Sequence, residues 1–105
     1  GVQTCALPIL KNENLSGKLV GLFGCGDSGS YPDTFCDAMG HLYDDLSGTG
    51  CRFIGACDTA GYSFDSSEAV RDGKFVGLAL DETNEDDRTA ERIVAWVETL
   101  KKEGL

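Results

Sequence analysis

The segment "GKLVGLFGCGDSGSYPDTFCDAMGHLYDDLSG", residues Gly17–Gly48, predicts a buried strand, a glycine-rich turn and an amphipathic helix in direct succession. Its first part, Gly17–Phe23, is almost entirely apolar, which is typical of a strand that is covered on both faces. After the turn, apolar side chains recur with the spacing of one helical face: Phe35, Ala38, Met39, Leu42, Tyr43 and Leu46. Pro32 suits the first turn of this helix, and Gly48 is expected to end it.

The rest of the sequence continues the alternation of strands and helices. Two further strands are predicted at Arg52–Ala56 and Lys74–Leu80, and the segment between them is predicted to be a long loop with one helical turn at Ser67–Val70. A last helix has Thr89 as its predicted N-cap and one apolar face, formed by Ile93, Trp96, Val97 and Leu100. This order predicts an α/β fold with a parallel sheet. Because such sheets usually have more strands, we expect this sheet to be incomplete.

Charge and cysteine content narrow the classes of function. Nine Lys and Arg against 18 Asp and Glu give a formal net charge of −9, which disfavours nucleic acid and favours basic protein partners, although acidity also promotes solubility alone. The five cysteines form no CxxC pair, so the sequence predicts neither a disulfide framework nor a zinc site. This cysteine usage favours a reduced, cytoplasmic protein. No apolar run approaches the roughly 18 residues of a membrane-spanning helix.

The glycine-rich turn is the candidate ligand-binding segment. It follows a predicted strand, and ligands in open α/β sheets bind at the carboxyl ends of the strands. Glycines let the backbone approach a ligand closely. Asp27 offers an acceptor, and Tyr31 offers a flat face that can stack on an aromatic ring. Gly24, Gly26 and Gly29 have the spacing GxGxxG, but the turn leads into Ser30, Tyr31 and Pro32, and it has no Lys-Ser/Thr of a P-loop. Such turns are also glycine-rich for steric reasons alone, so a ligand-binding and a purely structural role both stay open.

Three stretches carry a resemblance to a known family: "SGKLVGLFGCGDSGSYPDTFCDAMGHLYDDL", "GYSFDSSEAVRDGKFVGLALDETN" and "TAERIVAWVETL". From about Leu15 to Leu105 the chain resembles the C-terminal portion of a long-chain flavodoxin. The resemblance implies a flavodoxin-like parallel sheet that binds FMN and carries electrons at low potential, without converting a substrate. It equates Gly17–Phe23 with the fourth strand, and Arg52–Ala56 and Lys74–Leu80 with two pieces of the fifth strand. The first three strands of that sheet are expected to be absent.

The resemblance also implies which residues bind the cofactor. Tyr31 corresponds to a tyrosine that stacks on the flavin ring. Its neighbours correspond to positions that line the ring or contact its polar edge: Cys25, Gly26, Asp27, Ser30 and Thr34. Cys25 stands where a hydroxyl or apolar residue is common, and Ser30 replaces a frequent glycine. The family's phosphate-binding loop has no counterpart in the sequence, so FMN is expected to bind weakly.

Two hypotheses follow for the partners of the chain. A flavodoxin would dock basic redox proteins, such as a flavodoxin or ferredoxin reductase, through acidic residues on the polar face of the first helix. The candidate residues are Asp33, Asp37, Asp44 and Asp45. Alternatively, the chain is a fragment without cofactor that self-associates through an open edge of its sheet.

Other residues that could carry chemistry have simpler interpretations. His41 lies off the apolar stripe of its helix and is predicted to face solvent. The acidic run that begins at Asp81 is predicted to be a solvated connector, because it lacks the ligand spacing of a calcium loop. Cys51 and Cys57 are expected to have no metal or redox role. No Ser or Cys has a histidine partner visible in the sequence, so no catalytic nucleophile is predicted.

The opening "GVQTCALPI", residues 1–9, differs from everything downstream. Codons can be chosen for it that resemble a sequencing adapter, so we predict a non-native leader at residues 1–9. Residues 10–105 are then the C-terminal part of a flavodoxin-like domain. On this hypothesis Cys5 has no part in any redox chemistry.

Overall fold

A computed structural model describes residues 14–104, so the leader predicted at residues 1–9 lies outside the described residues. Two 3-10 turns, Ser47–Thr49 and Asp86–Arg88, flank the helices in this range. The strands and helices of the described residues are, in chain order, β1 (Leu19–Gly21), β2 (Phe23–Cys25), α1 (Asp37–Leu46), β3 (Arg52–Ile54), β4 (Cys57–Asp58), β5 (Val70–Arg71), β6 (Lys74–Phe75), β7 (Leu78–Leu80) and α2 (Thr89–Lys102).

Parallel strand pairing is built around one continuous segment, Leu19–Cys25. β1 pairs in parallel with β3, and β2 pairs in parallel with β7. The register places Gly21 opposite Ile54 and Phe23 opposite Leu78. The predicted α/β fold with parallel strands is therefore confirmed, and the two separated strand segments do pair with the same partner. The strand predicted at Gly17–Phe23 begins later and continues to Cys25, with an interruption at Leu22.

Between β3 and β7 the chain forms a small antiparallel sheet, which we call the inserted segment (residues 57–75). β6 pairs with both β4 and β5. Asp72 and Gly73 join β5 to β6 with φ values of 56° and 80°, as the type I′ turn requires. The prediction of a long loop is wrong here, because two-residue strands are too short to show a period. The predicted strand Lys74–Leu80 is divided between β6 and β7. Ser67–Val70 forms a turn closed by one hydrogen bond, from the N–H of Val70 to the carbonyl of Ser67 at 3.2 Å, and not the predicted helical turn, because Val70 already belongs to β5.

Helix α1 begins at Asp37, later than the sequence predicts. Pro32 lies in a turn before the helix, where its carbonyl accepts the N–H groups of Asp65 at 2.8 Å and Ser66 at 3.0 Å. Cys36 has a left-handed φ of 56° directly before the helix and so breaks the helical path. The turn that precedes α1 therefore holds the inserted segment instead of forming the first turn of the helix.

The predicted ends of both helices also need correction. Gly48 lies inside a 3-10 turn, and Gly50, with φ of 82°, ends that turn instead. Thr89 is not an N-cap, because the preceding 3-10 turn already binds its N–H to the carbonyl of Asp86. Within residues 14–104 the Thr89 hydroxyl is buried without a hydrogen-bond partner. A 3-10 turn ahead of a helix moves the cap, and apolar spacing does not reveal it.

An aromatic cluster fixes the inserted segment to the rest of the fold. Phe35, from the turn before α1, is 1% exposed, and Phe75 of β6 is 0% exposed. The ring of Phe35 lies 5.6 Å from that of Phe64 and 6.0 Å from that of Phe75, between centroids. Tyr62 packs edge-on to Phe75 at 4.9 Å, and its hydroxyl donates to the carbonyl of Ala79 at 2.6 Å. The core therefore lies between α1, the inserted segment and β7.

Gly40 marks the closest approach of α1 to the inserted segment. A Cβ at this position would lie 2.2 Å from the carbonyl oxygen of Glu68. We expect Gly40→Ala to lower the free energy of unfolding by about 1–3 kcal/mol, because the helix and the segment must separate to admit the methyl group. Gly48→Ala is the control, since a Cβ there meets nothing within 4 Å. Urea unfolding followed by circular dichroism measures both, and equal midpoints for the two variants would contradict the expectation.

The apolar face predicted for α2 is covered only in part. Leu100 is buried, and the indole N–H of Trp96 donates to the carbonyl of Gly55 at 2.8 Å. Ile93 is 41% exposed and Phe23, on the neighbouring strand β2, is 65% exposed. This side of the described residues therefore presents apolar surface to solvent. Neither helix between residues 14 and 104 has the length and apolar content needed to cross a membrane.

Candidate functional site

Two segments meet at the carboxyl edge of the parallel strands. We call Gly26–Tyr31, which follows β2, the glycine loop, and Asp81–Glu85, which follows β7, the acidic loop. The N–H of Gly26 donates to the carbonyl of Leu80 at 2.8 Å, so the strand pairing continues into the glycine loop. A Cβ at Gly26 would lie 2.7 Å from the ring of Phe35. Only glycine therefore lets the loop leave the strand this close to the core.

Asp27 shapes the glycine loop from within. Its Oδ1 accepts the N–H groups of Gly29 at 3.1 Å and Ser30 at 3.0 Å, and its main-chain carbonyl accepts the N–H of Tyr31 at 2.8 Å. The side chain of Asn84 donates to the same Oδ1 at 2.7 Å. The bond from Asn84, together with those from the loop, lowers the pKa of Asp27 below its ordinary value. The carboxylate is therefore charged at neutral pH.

Asp81 is the buried acceptor of the acidic loop, with a side chain that is 0% exposed. It accepts the hydroxyl and the N–H of Ser28, the latter at 3.1 Å, and the N–H of Asn84 at 3.0 Å. Burial raises the pKa of Asp81, but the bonds from Ser28 and Asn84 outweigh that effect and leave the pKa below its ordinary value. The prediction of a solvated connector is wrong at Asp81. Its place directly after an apolar strand was the available signal.

The residues predicted to bind a cofactor lie on one short segment, from the end of β2 to the turn before α1. They are Cys25, Gly26, Asp27, Ser30, Tyr31 and Thr34. Tyr31 is 64% exposed, and its carbonyl lies 3.4 Å from the N–H of Thr34, which donates to it. Cys25 and Ser30 are also exposed. The contact of these residues with a flavin stays a prediction. Ser28, Asp81 and Asn84, which support this edge, were not predicted.

The cysteines of residues 14–104 are free thiols. Burial raises the pKa of the Cys36 thiol to about 12 and that of the Cys57 thiol to about 11. Both thiols are therefore protonated at neutral pH and are poor nucleophiles. Cys36 and Cys25 contribute to a cavity of about 290 Å³ between β2 and α1. Because Cys25 is the one predicted residue that lines it, this cavity adjoins the predicted site without being the site.

The acidic residues predicted to dock a partner divide into two groups. Asp44 forms a two-point ion pair with Arg71, at 2.7 and 3.1 Å, and the hydrogen bonds from Arg71 lower the pKa of Asp44. Asp37 accepts the N–H of Glu68 at 2.7 Å. These two carboxylates hold the inserted segment to α1. Asp33 is exposed and Asp45 half-buried, and His41 is exposed, as predicted.

Comparison with known proteins finds one matching family and several similar proteins. The model of the family described as Flavodoxin matches residues 3–96. A flavodoxin of Picosynechococcus sp. is 50% identical over 92 residues, covering 88% of this chain and 54% of the relative. A flavodoxin of a Nostoc species is 49% identical over 94 residues, covering 90% of this chain and 55% of the relative. The crystal structure of Fusobacterium nucleatum flavodoxin bound to flavin mononucleotide matches with a TM-score of 0.91 and 36% identity, covering 96% of this chain and 60% of that chain.

The extent of these matches bears on the expectation that the first strands of the sheet are absent. The chain spans little more than half the length of the two curated relatives, 54% and 55%. The family match begins at residue 3, ahead of Leu15, and gives no support to the expectation that the first strands of the sheet are absent. The family match covers well over half of the chain, and the similarity extends to both sequence and structure. The chain therefore belongs to the flavodoxin family.

Proposed function

We propose that this chain is an FMN-dependent electron carrier of low potential and that it converts no substrate of its own. The observation that carries the proposal is the exposed ring of Tyr31 at the end of a loop whose backbone is fixed by Asp27. The Fusobacterium flavodoxin of similar structure has flavin mononucleotide bound. When bound, FMN supplies the redox chemistry, and the protein positions and shields it.

The residues at the carboxyl edge fit a flavin ring. Of the five N–H groups from Gly26 to Ser30, four donate within residues 14–104: those of Gly26, Ser28, Gly29 and Ser30. The N–H of Asp27 has no acceptor among the same residues, so it can donate to an acceptor atom on the polar edge of the ring. Tyr31 offers the stacking face. Cys25 and Thr34 are exposed on either side of this loop.

The phosphate group of FMN finds no comparable support in the described residues. Phosphate is favoured at helix N-termini because of their N–H groups and positive dipole end. Here Asp37 occupies the first turn of α1, and Glu91 occupies the first turn of α2. Asp86 and Asp87 add negative charge just before α2. The proposal therefore includes weak binding of FMN by these residues, with most of the affinity supplied by the ring.

A titration of flavin fluorescence tests the proposal. We expect the chain to quench riboflavin, which lacks phosphate, nearly as strongly as FMN. Tyr31→Ala should raise the Kd of both ligands roughly fivefold, because aromatic stacking contributes about 1 kcal/mol, whereas Tyr31→Phe should keep wild-type affinity. Unchanged fluorescence with wild-type protein at millimolar flavin would overturn the proposal.

The second hypothesis, a self-associating chain without cofactor, is tested on the same samples. The surface that it would use includes the exposed apolar side chains of Phe23, Ile93 and Val97. Oligomers on size-exclusion chromatography, combined with no flavin binding, would support this hypothesis against the first. A monomer that quenches flavin would exclude it.

The proposed redox partner is a basic protein, such as a flavodoxin or ferredoxin reductase. A formal net charge of −9 favours long-range attraction to a basic surface. Asp33, near Tyr31 in the chain, is exposed and makes no ion pair within residues 14–104, so it is available for docking. The free thiols of the described residues fit the proposed cytoplasmic location.

A further inference from the structure

The glycine loop and the acidic loop are joined through a single amide side chain, that of Asn84. Its Nδ2 donates to Oδ1 of Asp27 at 2.7 Å and to both carboxylate oxygens of Asp81 at 3.1 Å. A primary amide has two N–H groups, so one points to each carboxylate. The neutral amide thus satisfies two negative charges at once and keeps them apart.

Asn84 also makes steric contact with the backbone of the glycine loop. A Cβ at Gly29 would lie 2.7 Å from Oδ1 of Asn84, so the amide lies directly against this residue. The N–H groups of Gly29 and Ser30 donate to Asp27, which is itself bound by Asn84. The position of Asn84 therefore determines the position of Asp27 and of the loop backbone that Asp27 organises.

The acidic loop, which carries this amide, is held in position by contacts with itself and with neighbouring elements. The N–H of Glu85 donates to the main-chain carbonyl of Asp81 at 2.9 Å, which closes the loop on itself. The carboxylate of Glu85 pairs with Arg92 of α2 at 3.0 Å. The guanidinium of Arg92 lies 4.0 Å from the ring centroid of Tyr62, in the inserted segment. Asn84 is thus held by contacts that reach α2 and the aromatic cluster.

We propose that Asn84 is a positioning residue for the flavin. Asn84 holds Asp27, and so it determines where the free N–H of Asp27 and the ring of Tyr31 contact the isoalloxazine. This position in turn determines the affinity for FMN and the midpoint potential of bound FMN. Asn84 acts through Asp27 and makes no contact with the flavin in this proposal. The inference rests on the proposed function, since it assigns a role at the same site.

Three variants test this role: Asn84→Ala, Asn84→Asp and, as a control, Thr83→Ala at the exposed neighbouring position. Without flavin, we expect Asn84→Ala to shift the amide NMR resonances of residues 27–30. With flavin, it should raise the Kd for FMN and riboflavin roughly tenfold, the cost of one hydrogen bond to a charged group, and move the midpoint potential. Asn84→Asp should act in the same direction, because a third carboxylate repels the other two. Thr83→Ala should match the wild type.

The order of measurement separates the possible failures. If the wild-type chain binds neither FMN nor riboflavin, the proposed function is overturned, and this proposal with it. If the wild type binds and Asn84→Ala keeps the wild-type Kd, midpoint potential and circular dichroism of the bound flavin, only the role of Asn84 is overturned. An Asn84→Ala variant that melts earlier but retains the wild-type potential also overturns it, since that result indicates a merely structural residue.

Discussion

Phe35→Ala is expected to lower the free energy of unfolding by about 3–5 kcal/mol, the usual cost of removing a buried aromatic ring from a core. The ring is 1% exposed and contacts the rings of Phe64 and Phe75. Its loss leaves a cavity at the junction of α1, the inserted segment and the glycine loop. The inserted segment should therefore loosen first, which proteolysis between residues 57 and 75 would detect.

Phe23→Ala is the matched control for this variant. The side chain of Phe23 is 65% exposed, and its nearest aromatic neighbour is Trp96, at 6.3 Å between centroids. We expect its removal to cost about 1 kcal/mol or less, because little apolar surface is buried there. Urea unfolding at neutral pH measures both variants. Similar losses at the two positions would show that the aromatic cluster does not hold the fold together.

Asp81→Ala is expected to lower the free energy of unfolding by about 2–4 kcal/mol at pH 7. The N–H groups of Ser28 and Asn84 would lose a charged acceptor, and a hydrogen bond to a charged group contributes roughly 1.5–3 kcal/mol. Glu82→Ala, at the exposed neighbouring position, should change little. Thermal or urea unfolding compares the two variants.

The pH dependence of stability gives a second measure of the same carboxylates. The pKa values of Asp81 and Asp27 are both lowered in the folded chain. Their stabilisation is therefore fully present above the pKa of an unfolded aspartate, about 3.9, and is lost as the pH falls through the lower folded-state values. Wild-type protein should lose stability steeply below about pH 4, and Asp81→Asn should show a shallower slope. Identical slopes would contradict this assignment.

The sequence predicts those parts of the fold that repeat with a period. The apolar run before the glycine loop and the apolar faces of both helices follow from spacing, and the α/β order follows from their alternation. The glycine loop could also be located, because a turn between a parallel strand and a helix lies where ligands bind. The same reasoning predicts Tyr31 and Asp27 as candidate binding residues.

The features of the fold and of the site that the sequence does not predict depend on contacts between segments that are distant in the chain. The carbonyl of Pro32 binds the inserted segment, and Cys36 has a left-handed φ, and neither feature follows from the apolar spacing around it. The two-residue strands of that segment have no periodic signature, although the Asp72-Gly73 turn was a visible signal. The burial of Asp81 requires knowing that β7 lies beside β2. Asn84 has no local pattern that separates it from the acidic residues around it.

The pairing of Leu19–Cys25 with two separated strands has a consequence for the order of folding. The partner β3 is closer in sequence than β7, so its pairing closes the shorter loop and costs less chain entropy. The longer closure, which delivers β7 to β2, brings the whole inserted segment with it and is entropically the later step. Asp81 follows β7 directly and reaches Ser28 only after that pairing forms. We therefore expect the carboxyl edge to be assembled late in folding, and a chain that folds only in part should lack the contact between the glycine loop and the acidic loop first.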